Sequence, residues 1–251
     1  MTIDFLPFIF FIIALFYSSV GFGGGSSYLA IMSLFISDFF EIRTTALILN
    51  ICVVTIGTIG FIQHKVFNFK IFWPFLLSSI PFAYLGTQVK LSKTGFFLIL
   101  GGSLIISGCF MLLRYVQTKL SSNEFNLSKK MALGGSIGLL AGVSGIGGGI
   151  FLSPVLNLLN WKDPRTVASL ASVFILMNSA AGLVGLSVAG TFQIDGDLIW
   201  KLILAVLLGG GMGSYLSNKK LNLRILGGLT AVLVIYVGAR LVLLHGFGIK
   251  I

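Results

Sequence analysis

The chain alternates long apolar blocks with short polar or charged breaks. Six blocks have about the 20-residue length of a membrane-spanning helix. They are about Arg43–Ile62, Ile71–Val89, Gly95–Arg114, Thr166–Ala189, Leu198–Ser217 and Leu223–Leu244. Breaks such as Gln63-His64-Lys65, Lys90-Leu91-Ser92-Lys93 and Asn218-Lys219-Lys220 end them. Two further regions, Phe5 to Ile36 and Met131 to Leu159, are too long for one crossing. As one straight helix the first would run about 48 Å, against a hydrocarbon core of about 30 Å. Each is interrupted by a glycine cluster, Gly21-Phe22-Gly23-Gly24-Gly25 and Gly145-Ile146-Gly147-Gly148-Gly149. The pattern predicts an all-α polytopic membrane protein with eight apolar segments.

The two clusters expose an internal repeat. They align at a spacing that also brings Arg43-Thr44-Thr45-Ala46 onto Arg165-Thr166-Val167-Ala168, Gly101-Gly102 onto Gly227-Gly228, and Arg114 onto Arg240. The chain therefore divides into halves of about 1–120 and 121–251, joined by the polar stretch Lys119 to Lys130. A repeat this long suits the duplicated halves of a secondary transporter rather than a solenoid.

Charge bears on topology. With 17 Lys+Arg against seven Asp+Glu, the net charge is +10 on a chain only 10% charged and 56% hydrophobic. Such a balance excludes a soluble enzyme and a disordered chain, and basic residues placed between apolar runs point to membrane orientation rather than nucleic acid. If each glycine-broken region crosses the membrane, there are eight crossings and Lys/Arg divide evenly. If each is a re-entrant pair of half-helices, six crossings remain, three per half, so the halves are inverted. Lys/Arg then divide eleven to six, and the positive-inside rule favours this arrangement, with both termini outside.

Chain that leaves the helix at mid-membrane depth must be buried in protein or line a wet cavity. The half-helices expected after the clusters, Ser26–Ile36 and Ile150–Leu159, would present unpaired N–H groups and a partial positive charge at their starts. Two such ends meeting near the midplane make an anion site without a basic side chain. Gly23, Gly24, Gly25, Ser26 and Ser27, with Gly147, Gly148, Gly149 and Ile150, are the candidate substrate-binding residues. Ser18, Ser19 and Ser144 add hydroxyls nearby. Helix packing is the alternative use of glycine, and it serves for Gly101-Gly102, Gly134-Gly135, Gly209-Gly210-Gly211 and Gly227-Gly228.

Arg43 and Arg165 occupy equivalent positions, as interfacial anchors or as attractors of an entering anion. Asn50, Ser172 and Asn178 are polar positions deep in spans, suited to interhelical hydrogen bonds or to substrate. The acidic residues Asp4, Asp38, Glu41, Glu124, Asp163, Asp195 and Asp197 all fall at segment ends or in loops, which disfavours a cation or metal path. His64 and His245 read as isolated interfacial residues. Trp73, Trp161 and Trp200 read as an interfacial belt, and the 23 Phe mostly as lipid-facing bulk. Cys52 and Cys109 read as small buried apolar residues or a soft contact for a sulfur-containing substrate. No nucleophile–base set, metal set or phosphate loop is present, so neither catalysis nor a cofactor is expected.

The repeated Gly-x-Gly-Gly-Gly, the apolar half-helix after it and the span that opens with small and hydroxyl residues resemble the sulfite exporter TauE/SafE family of membrane permeases. The match is fuller in the second half, through Gly145–Gly149, Pro154 and Ala168 to Ser172; Ala30 stands where Pro154 does. The resemblance implies transport of sulfite, organosulfonates or other small sulfur- or carbon-containing anions across the bacterial inner membrane. The alternatives are a passive anion channel and a transporter of small carboxylates. The partners expected are a small anionic substrate and the lipid bilayer, with a homodimer possible and no nucleic acid.

Overall fold

The computed structural model describes residues 5–19, 21–33, 35–36, 38–89, 91–113, 125–217 and 223–249. Val20, Lys90, Arg114, Lys119, Glu124, Lys219, Lys220, Lys250 and Asp4 lie outside them, as does most of the polar stretch between the halves. The described residues form ten helices: α1 (Leu6–Ser19), α2 (Gly25–Met32), α3 (Phe39–Gln63), α4 (Phe69–Thr87), α5 (Lys93–Leu113), α6 (Leu127–Ser144), α7 (Gly149–Leu158), α8 (Pro164–Val188), α9 (Gly196–Ser217) and α10 (Leu223–Gly246). Among them α3, α4, α8 and α9 are long and apolar enough to cross a membrane.

Helices α3, α6 and α8 begin earlier than hydropathy places them, because polar caps start them. Asp38 accepts from the Phe40 amide at 2.8 Å and starts α3 one turn before Arg43. Asp163 accepts from the Arg165 and Thr166 amides at 3.1 and 3.0 Å, with Pro164 first in the helix, where its missing N–H is harmless. Asn126 caps α6 through the Lys129 amide.

Glycine sets the helix pairings. The carbonyls of Phe11 and Leu15 on α1 press on Gly209 and Gly213 of α9, so these helices run parallel. The carbonyls of Phe75, Ser79 and Ala83 on α4 press likewise on Gly134, Gly138 and Gly142 of α6. α5 and α10 run antiparallel, with Gly101 against Gly238 and Gly108 against Ala231. α3 and α8 are antiparallel too: Leu47 meets Gly182, and the Thr58 and Ser172 hydroxyls are 3.1 Å apart. A Cβ at most of these glycines would overlap the neighbouring backbone. Gly102, Gly211 and Gly228 have nothing near them, so not every glycine pair serves packing.

Across each break the flanking segments come into contact. Phe10 of α1 stacks on Tyr28 of α2 with ring centres 4.7 Å apart, and Phe5 meets Phe35 at 5.3 Å. In the second half Phe125 before α6 lies 6.4 Å from Trp161 after α7. Pro154 inside α7 has no N–H for the Ile150 carbonyl; the Ser107 hydroxyl of α5 donates to that carbonyl instead.

Several aromatic expectations change. Trp161 is only 2% exposed and packs edge-on against Phe75, so it belongs to the core. Trp200, 68% exposed, and Trp73 fit a lipid-facing belt. Phe10, Phe72, Phe75, Phe96, Phe97 and Phe174 are fully buried, so phenylalanine serves the core as much as the lipid face. His245 is not isolated: its ring stacks on Phe97 at 4.1 Å. Cys109 is exposed and Cys52 half-buried.

Candidate functional site

The two glycine clusters become matching left-handed caps. Gly24 starts α2 at φ 86°, and Gly148 starts α7 at φ 87°, a conformation open to glycine at no steric cost. Tyr28 lies beneath Gly24, and Phe174 and Ala141 beneath Gly148, so neither site has room for a side chain. The Ser27 and Tyr28 amides both return to the Gly24 carbonyl, and those of Phe151 and Leu152 to Gly148.

Asn50 joins the two loops. Its Oδ1 accepts from the Gly25 amide at 2.9 Å, and its Nδ2 donates to the Ile146 carbonyl at 2.9 Å. Both bonds are fully buried at the middle of α3. A Cβ at Gly23 or Gly25 would overlap the Asn50 amide, so glycine is required for this approach.

A small cavity opens beside these loops. It is narrow, about 10 Å³, with room for roughly one water. Tyr17, Phe22, Gly23, Gly24, Gly25, Ser26, Asn50, Ile146, Ile150 and Ile175 line it. No lining side chain is charged. Ser26 is 2% exposed, and its hydroxyl adjoins that of Tyr17 without a well-aligned hydrogen-bond partner. The Tyr28, Ser169 and Ser179 hydroxyls and both polar atoms of the Asn178 amide are likewise buried without partners. Tyr17 is held by a 2.7 Å bond between its hydroxyl and that of Ser27.

The remaining expected residues are placed as follows. Gly147 and Gly149 pack under Ile175 and do not reach the cavity. Ser27 is engaged with Tyr17. Ser172 bonds the Thr58 hydroxyl and the Val54 carbonyl, which makes it interhelical glue between α8 and α3. Asn178 is buried on α8 away from the lining. Ser18, Ser19 and Ser144 donate to the carbonyls of Gly210, Phe16 and Leu140.

The two equivalent arginines differ. Arg43 is buried, donates to the Gly142 carbonyl at the end of α6 at 2.7 Å, and lies 5.6 Å over the Phe96 ring. Arg165 is exposed at the start of α8. Neither Cys52 nor Cys109 reaches the cavity. Among the described residues no group of three or more His, Cys, Asp or Glu could hold a metal.

Tyr17, Phe22 and Ile175 escaped sequence reasoning. Tyr17 sits two turns before Gly24, and a tyrosine within an otherwise apolar half-helix was the available signal. Ile175 carried none, being one apolar residue among many.

The described residues form a helical fold with four helices long and apolar enough to cross a membrane and a small cavity beside its broken helices. The profile of the family described as "Sulfite exporter TauE/SafE" matches residues 6–241. A protein named "Probable membrane transporter protein y4hK" from Sinorhizobium fredii is 33% identical over 238 residues, covering 92% of this chain and 95% of the relative. "Probable membrane transporter protein YunE" from Bacillus subtilis is 24% identical over 209 residues, covering 74% of each chain. No solved structure matches. The chain belongs to the sulfite exporter TauE/SafE family.

Proposed function

We propose that the chain is a secondary transporter moving small anions, such as sulfite, organosulfonates or related sulfur-containing anions, across the bacterial inner membrane by alternating access. The observation that carries this is the start of α2, where Gly24, Gly25 and Ser26 line a cavity with no charged lining. Of the first amides of α2, Gly25 is taken by Asn50 and those of Ser27 and Tyr28 by Gly24, which leaves that of Ser26 beside the cavity. A helix start favours negative charge, and a neutral hydroxyl and amide bind an anion without holding it too tightly to release.

The halves, about 1–120 and 121–251, are read as inverted repeats, each a re-entrant pair followed by three crossings. α1 with 14 residues and α2 with eight span about 21 and 12 Å, too short to cross separately. The contacts of Phe5 with Phe35 and of Phe125 with Trp161 support a return to the starting side. The equivalent helices α3 and α8, and α5 and α10, pack antiparallel, as a two-fold axis in the membrane plane requires. Rocking one repeat against the other then opens the site alternately. The narrowness of the cavity favours this over a continuous pore.

The experiment is flux of labelled sulfite into proteoliposomes holding the full chain. Saturable uptake, accelerated by sulfite on the opposite side, supports the transporter. Non-saturable flux indicates a channel, and absence of flux for sulfite, sulfonates and carboxylates contradicts the proposal.

A further inference from the structure

We infer that Arg43 is a gate residue. Docked on the end of α6, it closes the route to the cavity from the side where α3 starts, and the cavity opens to that side only when the arginine leaves this berth. The inference rests on the alternating-access reading above.

Arg43 lies five residues beyond the Asp38 cap of α3, about 7.5 Å along the helix, and Asn50 is about 10 Å deeper. The arginine therefore stands between that end of α3 and the cavity. It donates to the Gly142 carbonyl in the last turn of α6 at 2.7 Å. Its stem lies along Gly145, where a Cβ would meet the Arg43 Cγ at 3.2 Å. Gly145 directly precedes Ile146, which lines the cavity. The guanidinium covers the Phe96 ring at 5.6 Å, and Phe39 at the start of α3 packs on that ring at 5.5 Å. Arg43 is 3% exposed and Phe96 fully buried, so this layer is shut.

A brace would fill its donors, and this berth does not. The guanidinium donates to a neutral carbonyl, no carboxylate pairs with it among the described residues, and its Nε is buried without a partner. A buried cation served so thinly is costly, which leaves the docked state weakly held against one in which the head meets water. An arriving anion offers charge-assisted hydrogen bonds, roughly twice as strong as neutral ones, and draws the arginine off Gly142. The repeat places Arg165 at the equivalent position of α8, which runs antiparallel to α3, and there the side chain is exposed. One arginine docked and its equivalent exposed at the other end of the bundle is the asymmetry that one of two alternating states requires.

The test reads access to the cavity through Ser26→Cys in the full chain, with Cys52→Ala and Cys109→Ala removing the native thiols. A membrane-impermeant methanethiosulfonate is applied to one face or the other of membrane vesicles. Gln193→Cys marks the α3-start face, since Gln193 is exposed and its amide meets the Thr44 hydroxyl. Arg43→Gln is expected to speed labelling of the Ser26→Cys thiol from that face about tenfold, as loss of one hydrogen bond from a charged group would, and not from the opposite face. Arg165→Gln is expected to leave labelling from the α3-start face unchanged. Thermal unfolding checks that each variant is folded. Arg43→Lys, which keeps the charge but not the planar fork, is expected to act in the same direction to a smaller extent, and it carries the test if Arg43→Gln does not fold. Unchanged labelling in a folded Arg43 variant, or equal acceleration from both faces, overturns the inference. The readout needs no substrate, so the two readings fail separately: face-dependent labelling without flux of any anion overturns the anion reading and leaves the gate standing.

Discussion

Asn50 Nδ2 donates to the Ile146 carbonyl at 2.9 Å, tying α3 of the first half to the glycine loop of the second. The same amide accepts from Gly25, so one side chain fixes both broken helices. Replacing Asn50 with Leu keeps the volume and orphans both backbone groups. Each orphaned group costs about 1–3 kcal/mol, and thermal unfolding in detergent should show a marked fall. Asn50→Asp retains the acceptor for Gly25 and should unfold between the two, while placing a carboxyl beside the proposed anion site should suppress flux.

Ser107 and Pro154 are coupled through the Ile150 carbonyl. Ser107→Ala leaves that carbonyl without a partner, at about 1–3 kcal/mol. Pro154→Ala restores an amide able to reach it from within α7. A double-mutant cycle should therefore find the Ser107→Ala loss much smaller in the Pro154→Ala background. Equal losses in both backgrounds would refute the coupling.

Gly142 and Gly211 are both glycines inside helices, with opposite surroundings. A side chain at Gly142 would overlap the Ala83 backbone, whereas Gly211 has nothing within 4 Å. Gly142→Val should separate α4 from α6 and abolish recovery of folded protein, as judged by gel filtration. Gly211→Val should elute and unfold like the natural chain.

Asp163 gives the protein an acid limb. Burial pushes its carboxyl up, but the Thr166 hydroxyl and the Thr166 and Arg165 amides outweigh this and hold it below its ordinary value. A lowered native pKa stabilises above the unfolded value of about 3.9, and the contribution is lost as pH falls through the native one. Asp163→Ala should cost about 1 kcal/mol at pH 7, as loss of a helix cap does. The gap between its melting temperature and that of the natural chain should stay constant from about pH 5 to 8 and close below about pH 4.

Much of this was legible from residues alone. Hydropathy located the long helices, and the glycine clusters marked where α1 and α6 stop. Asp38 and Asp163 read as loop residues, although their spacing from the spans was that of caps. The Trp161 and phenylalanine placements were not legible, because lipid and protein core are equally apolar and leave no polar face to tell them apart. The candidate site was legible as to Gly23–Ser26 and Asn50. The part played by Ile175 was not: it lies 26 residues beyond Gly149, and only the packing of α8 brings it there.

Ser26 provides the most direct test of anion binding at the start of α2. Its hydroxyl is buried without a well-aligned partner, so Ser26→Ala should leave thermal stability unchanged or raise it, since a poorly satisfied polar group is removed. The same change should lower the efficiency of anion uptake into proteoliposomes by about tenfold, the loss of one hydrogen bond to a charged ligand. A folded Ser26→Ala protein with undiminished uptake of sulfite, methanesulfonate and propionate would contradict the account.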